Sequence, residues 1–296
     1  MKSYGYYPGC SVRSSSKGYE KSLLLVMKSV GAKLKEIDDW NCCGATAYFG
    51  TDEKMAKAIA SRNLSLAEQQ KMDDLVIPCT GCYLTLKKSQ EHLKEHKDDS
   101  IRAALDEAGL KGGDKVALRH PVDVLYNDFG VEQLKSLVKK PLKGWKIASY
   151  YGCQLVRPYS DVDHPYYPHI LDDLMSACGA EAVDYPYKTR CCGGALTGTV
   201  EDVGLRLVYV LLAEMRNRGA NCVVTMCPLC HFNLDIYQSQ VIKKFGEEYE
   251  KSFSKKFEPL PILHFTQVIG LALGYKYSEL GIKEVMVEPK ALLKAI

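Results

Sequence analysis

No run of about 18 apolar residues occurs anywhere in the chain, so no helix is expected to span a membrane. The richest stretch, Leu205 to Met215, is interrupted by Arg206 and Glu214. No apolar core of signal-peptide length precedes Cys10, and a cytoplasmic location is the resulting expectation. Charge of one sign is scarce: 39 Lys and Arg against 36 Asp and Glu leave a net charge of +3, too little for a nucleic-acid surface. The glycines form no G-x-G-x-x-G turn after a strand, so neither flavin nor nicotinamide is expected in this chain. A C-x2-C-x2-C-x3-C run is missing as well, so any ordinary cubane cluster that feeds the chain would lie in a separate partner.

Cysteine is what the sequence has in excess. There are 12 in 296 residues, within an otherwise ordinary globular balance of 46% hydrophobic and 25% charged residues. That is too many for chance packing and too few for a small disulfide-stapled scaffold. Thiols of an intracellular chain stay reduced, so metal binding is the better expectation than disulfides.

The cysteines repeat. Cys10, Cys42, Cys43, Cys79 and Cys82 read C-x31-CC-x35-C-x2-C, and Cys153, Cys191, Cys192, Cys227 and Cys230 read C-x37-CC-x34-C-x2-C. Equivalent positions lie 143, 149, 149, 148 and 148 residues apart, the mark of an internal duplication. An apolar extended segment leads into the first cysteine of each set, Tyr4 to Tyr7 and Lys146 to Tyr150. A helix is expected after each Cys-Cys-Gly, started by Thr51 with Asp52 and Glu53 in one half and by Thr199 with Asp202 in the other. The second of these helices would bury a face formed by Val203, Leu207, Val210, Leu211 and Met215. Short strands, Leu75 to Ile77 and Cys222 to Thr225, run into each CxxC, followed by helices over Tyr83 to Glu95 and His231 to Gln240. The expected fold is α/β: two pseudo-symmetric halves, 1–143 and 144–296, each a small sheet with flanking helices. The divide is placed at the polar, turn-prone stretch Lys139 to Gly144. The Lys-rich run Lys243 to Lys256 reads as a solvated face.

Five thiols per half is an awkward number. Structural zinc takes four ligands, and so does a cubane iron–sulfur cluster. Either the fifth thiol is a spare, or an extended iron–sulfur assembly uses an additional protein ligand; zinc at these positions stays open. Adjacent cysteines such as Cys42 and Cys43 chelate one tetrahedral ion poorly but can reach neighbouring irons. Gly44 and Gly193, directly after the Cys-Cys pairs, would let backbone approach a cluster. Cys178 and Cys222 fall outside the repeat and read as buried small apolar residues.

The doubled Cys-Cys-Gly pattern resembles the cysteine-rich CCG domain family, and within it the heterodisulfide reductase B subunits. The resemblance covers essentially the whole chain: both cysteine sets, Arg119 to Asp128, Tyr150 to Pro158 and Cys227 to Asp235. It implies an internal duplication of the CCG domain, with one noncubane [4Fe–4S] cluster held by each set of five cysteines and both clusters facing a shared active site. The implied reaction is reduction of the coenzyme M–coenzyme B heterodisulfide to two thiols, in a larger complex with a ferredoxin-like C subunit and a flavin-containing A subunit. Relatives that relay electrons in succinate, fumarate, lactate, glycolate or sulfur metabolism supply the alternative. Because the substrate halves are anionic, Arg13 and Arg157 are candidate substrate contacts. His231, directly after the second CxxC, is the candidate proton donor, and His120 and His164 are further candidates.

Overall fold

The computed structural model describes residues 2–45, 47–96 and 100–294. Two four-stranded, all-parallel sheets form its frame. In the first, β1 (Lys2–Tyr6), β2 (Ala32–Glu36), β3 (Asp74–Val76) and β4 (Ala117–Arg119) lie in the order β2-β1-β3-β4. In the second, β5 (Lys146–Tyr150), β6 (Glu181–Ala182), β7 (Cys222–Thr225) and β8 (Ile262–His264) lie in the order β6-β5-β7-β8. The same winding recurs strand for strand, so the duplication read from cysteine spacing is also a duplication of topology. Helices cover the faces, as parallel strands require. The central strand β7 is accordingly buried at all four positions, whereas the edge strand β2 alternates.

This winding explains why distant cysteines meet. Strand order reverses between β1 and β3, and again between β5 and β7, which opens a crevice at the carboxyl ends of those strands. The first cysteine of each set follows β1 or β5, the CxxC follows β3 or β7, and the Cys-Cys pair lies beyond β2 or β6. All three segments therefore emerge on the carboxyl edge of their sheet.

The strands fall within two residues of where the sequence places them, and helices Thr80–Glu95 and Pro228–Ile236 start inside the motif; the second stops at Ile236, so Gln240, expected in it, belongs instead to helix Gln238–Phe253. The helix starts after the Cys-Cys pairs differ from expectation. Asp52, not Thr51, caps helix Glu53–Gln69, its carboxylate accepting the Met55 N–H at 2.9 Å. Thr199 caps nothing. It closes the short helix Leu196–Thr199, its hydroxyl bonded to the Ala195 carbonyl, and helix Glu201–Asn217 begins after Val200 without a side-chain cap. The buried face of that helix is also rotated from the expected one. Leu205, Val208, Leu211, Leu212 and Met215 are buried, while Val203 is exposed, because helix Gln238–Phe253 packs on its flank and adds a second contact direction. The lysines between Lys243 and Lys256 are exposed.

The halves exchange helices. After β4 the chain enters helix Val131–Leu137, which packs on Ile170–Ala177 of the second half; after β8, helix Phe265–Ala272 packs on Lys17–Ser29 of the first. Every residue of Phe265–Ala272 is buried, and each large side chain there contributes roughly 1.5–3 kcal/mol by leaving water. Ser22 and Thr266 hydroxyls meet at 2.7 Å across this junction, and Ser29 meets Tyr275 at 2.8 Å. Backbone contact is closest at Gly18, where a Cβ would sit 2.8 Å from the Gly281 carbonyl.

Candidate metal centres

The three cysteine segments of each half converge as the winding requires. In the first set Cys42 lies 3.7 Å from Cys10 and Cys43 lies 3.1 Å from Cys82, sulfur to sulfur. In the second, Cys192 lies 3.5 Å from Cys230. All twelve cysteines are free thiols. Cys10, Cys42 and Cys191 are exposed, Cys153 is half-buried, and the others of the two sets are buried. Cys178 and Cys222 are fully buried in the core, as small apolar residues.

Local geometry repeats with the sulfurs. Cys10 opens a one-turn helix, and Cys79 and Cys227 are the N-cap residues of their helices, a position whose free N–H groups can stabilise thiolate; of the three, Cys227 is held low and Cys10 and Cys79 are pushed up by neighbouring sulfurs. Gly9 (φ +72°) and Gly152 (φ +68°) precede the first cysteine of each set; a Cβ at either would lie 3.1 Å from Cys82 Sγ or 3.2 Å from Cys230 Sγ. The turn thus needs glycine for both its conformation and its proximity to sulfur.

Two residues unnoticed in the sequence complete the frame. Tyr7 donates its hydroxyl to the Asn41 carbonyl at 2.8 Å, and Tyr150 donates to the Arg190 carbonyl at 2.6 Å. Each tyrosine stands three residues before its first cysteine and pins the residue immediately before its Cys-Cys pair. Their shared offset of 143 residues was the available signal. Asn233, buried one helical step beyond Cys230, donates to the Gly194 carbonyl at 2.8 Å and approaches Cys192 Sγ at 3.5 Å. In the first half Asn63, on a different helix, holds Asn41 from both sides.

The thiols cannot all ionise on their own. Hydrogen bonds from Cys42 and Cys82 pull Cys43 down to about 4, and those from Cys153 and Cys192 pull Cys191 down to about 2. The Gly193 N–H, 3.3 Å from Cys191 Sγ, and the Arg157 guanidinium add to the latter. Four others are pushed up by sulfur hydrogen bonds and then by burial: Cys10 by its bond with Cys42, Cys153 with Cys191, Cys82 with Cys43 and Cys79, and Cys230 with Cys192 and Cys227. One thiol of the first set, Cys43, and two of the second, Cys191 and Cys227, are held low; further ionisation calls for a cation at the site. The two centres also touch. Across the halves Cys79 and Cys227 bias each other's ionisation, Cys79 upward and Cys227 downward. Gln154 Oε1 comes so near the first CxxC that a Cβ on Gly81 would lie 3.1 Å from it.

Soft thiols alone make up the donor set, which suits iron–sulfur or zinc chemistry and not hard cations. Five per centre exceeds the four of a closed tetrahedral site. Among the described residues no three His, Cys, Asp or Glu side chains surround a single-ion position. The residues present fit a polynuclear thiolate-bound group.

The other candidates are placed as follows. Arg13 is paired with Glu20 and Glu36. Arg157 bonds the Thr189 carbonyl, and its guanidinium lies over the Tyr166 ring at 6.0 Å. Gly44 takes φ +79° and Gly193 φ +98°. His231 Nε2 lies 3.1 Å from the Ile262 carbonyl, its ring stacks on His264 at 4.3 Å, and burial pushes it down to about 4. His164 is an exposed turn residue whose Nδ1 accepts the Tyr166 and Tyr167 N–H groups. His120, by contrast, is fully buried between the halves. An open cavity of about 470 Å³ lies beside Cys42, walled by Trp40, Asn41, Tyr48, Ile59 and Arg62.

Residues 4–87 and 147–235 each match the cysteine-rich CCG domain. The chain is 33% identical, over 97% of its length and 95% of the relative's, to the B subunit of the ferredoxin/F420H2-dependent CoB-CoM heterodisulfide reductase of Methanosarcina acetivorans. It is 31% identical, over 99% of both chains, to the 8-methylmenaquinol:fumarate reductase membrane anchor subunit of Wolinella succinogenes. An Archaeoglobus profundus protein described as like the heterodisulfide reductase B subunit is 30% identical over 93% of this chain and 92% of its own. Among solved structures, a hypothetical protein from Helicobacter pylori superposes with a TM-score of 0.69 at 15% identity, over 96% of this chain and 52% of that one, and shares the fold. Among the described residues no helix is long and apolar enough to cross a membrane.

Proposed function

The chain belongs to the cysteine-rich CCG domain family, with full-length relatives among heterodisulfide reductase B subunits, and from that membership we propose that it is an iron–sulfur redox subunit that reduces the coenzyme M–coenzyme B heterodisulfide to two thiols. The observation that carries this reading is the closeness of two complete five-cysteine sets, whose CxxC turns both lie within reach of the His120 ring. Cys10, Cys42, Cys43, Cys79 and Cys82 would hold one noncubane [4Fe–4S] cluster in residues 1–143, and Cys153, Cys191, Cys192, Cys227 and Cys230 the other in residues 144–296. When bound, such clusters supply electrons singly, and a disulfide RS–SR′ needs two electrons and two protons to become RSH and R′SH.

The chain's own residues prepare that conversion. Gly193 and Asn233 hold the second Cys-Cys turn by its backbone and sulfur, and Tyr7 and Tyr150 hold both turns from below. Arg157, near enough to Cys191 to favour its thiolate, is the cation assigned to an anionic end of the substrate. Arg13 is already committed to two glutamates, and His231 to a backbone carbonyl. Solvent in the open cavity beside Cys42 is therefore assigned the proton supply. Electrons would arrive from a ferredoxin-like C subunit and a flavin-containing A subunit.

A second reading rests on the fumarate reductase relative, matched as completely as the heterodisulfide reductases: an electron relay without disulfide chemistry. The test is anaerobic. The purified chain should be brown and contain iron and sulfide, and with reduced viologen it should cleave the heterodisulfide. A colourless zinc protein would overturn both readings. A brown protein that oxidises viologen with a quinone but leaves the disulfide intact would select the relay. Arg157→Ala should weaken disulfide binding at unchanged iron content, and loss of iron would make Arg157 structural instead.

A further inference from the structure

The two CxxC turns belong to different halves, and the His120 side chain reaches the backbone ahead of both. His120 follows β4 and N-caps the short helix Pro121–Asp123. Its Nδ1 accepts the Val122 N–H at 3.2 Å, so in the neutral ring the proton must be on Nε2. Burial pushes the imidazole down to about 4 and keeps it neutral at physiological pH. Nε2 faces two carbonyls, Pro78 O at 3.2 Å and Met226 O at 3.3 Å. Pro78 immediately precedes Cys79, and Met226 immediately precedes Cys227. A single N–H is thus shared between the last residues before the two CxxC motifs.

Other polar links between the halves do not reach these two carbonyls: Ser22 to Thr266, Ser29 to Tyr275, Lys21 to Glu284, and Lys87 to Asp161. Duplication alone does not produce the clamp either. His264 ends β8 much as His120 follows β4, 144 positions later. Yet it stacks on Tyr19 at 4.1 Å and on His231 at 4.3 Å, and neither ring nitrogen has a hydrogen-bond partner among the described residues.

We infer that His120 is a positioning residue: its shared Nε2–H fixes the spacing of the Cys79 and Cys227 turns and thereby the coupling between the two centres. The inference rests on the proposed cluster binding only for its spectroscopic readout; the spacing itself is a property of the thiols.

The test compares His120→Leu, which removes the donor, with His120→Gln, which restores an N–H at similar reach. Both are made in the full chain, with thermal unfolding and iron content measured first. One arm needs no cluster. After metal removal under argon, dibromobimane bridges only neighbouring thiols. The ratio of the cross-half Cys79–Cys227 adduct to the in-turn Cys79–Cys82 adduct, read by peptide mass mapping, should fall about fivefold in His120→Leu, the effect of losing roughly one hydrogen bond's worth of restraint. It should recover in His120→Gln. The second arm uses the metal-loaded, reduced protein, where the magnetic interaction between centres should change in the Leu variant and return in the Gln variant. Selective loss of iron in the Leu variant alone would also support the clamp. An unchanged adduct ratio in His120→Leu overturns it, and so does equal damage in both variants, which would mean that the ring only fills space. If wild type binds no iron yet the adduct ratio falls, the functional reading fails and the clamp stands.

Discussion

The two halves share a winding and differ in what surrounds it, and the difference sorts the residues by task. Retained twice are the features that hold sulfur: the glycine before the first cysteine, the tyrosine pin, and the CxxC at a helix N-cap. Other features differ between the halves among the described residues. The cavity of about 470 Å³ opens beside Cys42, and His120 bonds both halves while His264 bonds neither. Asn63 and Asn233 do similar work from unrelated helices. Holding a thiol cage requires the same geometry each time; joining two cages is needed in one place.

Four measurements probe how far the halves are equivalent. The largest effect is expected from Cys43→Ser and Cys192→Ser, each of which should remove about half of the bound iron if the cages load separately. Iron and sulfide analysis decides, and complete loss from either single variant would mean that the halves load as one. Next come Gly9→Ala and Gly152→Ala, which force a Cβ into a left-handed turn against a sulfur. Each should cost roughly 1–2 kcal/mol, read as matching losses in thermal midpoint; a loss confined to one half would show that the turns are no longer equivalent. Tyr7→Phe and Tyr150→Phe each leave a carbonyl without its donor, a cost of about 1 kcal/mol that chemical denaturation should find equal within error.

The smallest effect belongs to His264→Phe. The ring nitrogens have no partners among the described residues, so replacing them should be neutral at pH 7, whereas the same change at His120 strands two carbonyls. The pH dependence follows from the sign of the shift. Burial holds His264 well below its ordinary value, so below about pH 6.5 the unfolded chain binds a proton that the folded chain refuses, and stability falls as pH falls. Thermal midpoints between pH 7 and pH 5 should therefore drop less in His264→Phe than in the parent. An equal drop would place the acid sensitivity elsewhere.

The cages were legible in the sequence because their signal is local and doubled: a cysteine pattern with a near-constant offset, each motif beside a short apolar strand. The same doubling also contained Tyr7 and Tyr150, whose hydroxyls become informative only once the carbonyl they meet is known. Helix details were less legible. Thr51 and Thr199 are good caps by type, but Asp52 lies one residue nearer the helix start, and Val200 intervenes before Glu201. The bridging role of His120 was beyond reach, since its partners lie 42 and 106 residues away and no periodicity connects them. Arg13 stood close to a motif in sequence, yet Glu20 and Glu36 claim it in space.

The exchange of helices bears on how such a chain is made. A ribosome delivers residues in order, and helix Lys17–Ser29 emerges early with Tyr19, Leu23, Val26 and Met27 on the face that it will bury. Its cover, Phe265–Ala272, is synthesised about 240 residues later, which at ordinary elongation rates is a wait of roughly 12 to 50 seconds. For much of that interval, once Cys82 has been made, the first cage has its five thiols while helix Lys17–Ser29 lacks its cover and, until late, Cys227 is also missing. Loading with metal before the chain is released would fill a cage whose walls are incomplete, so both centres should be charged after synthesis, on a finished protein.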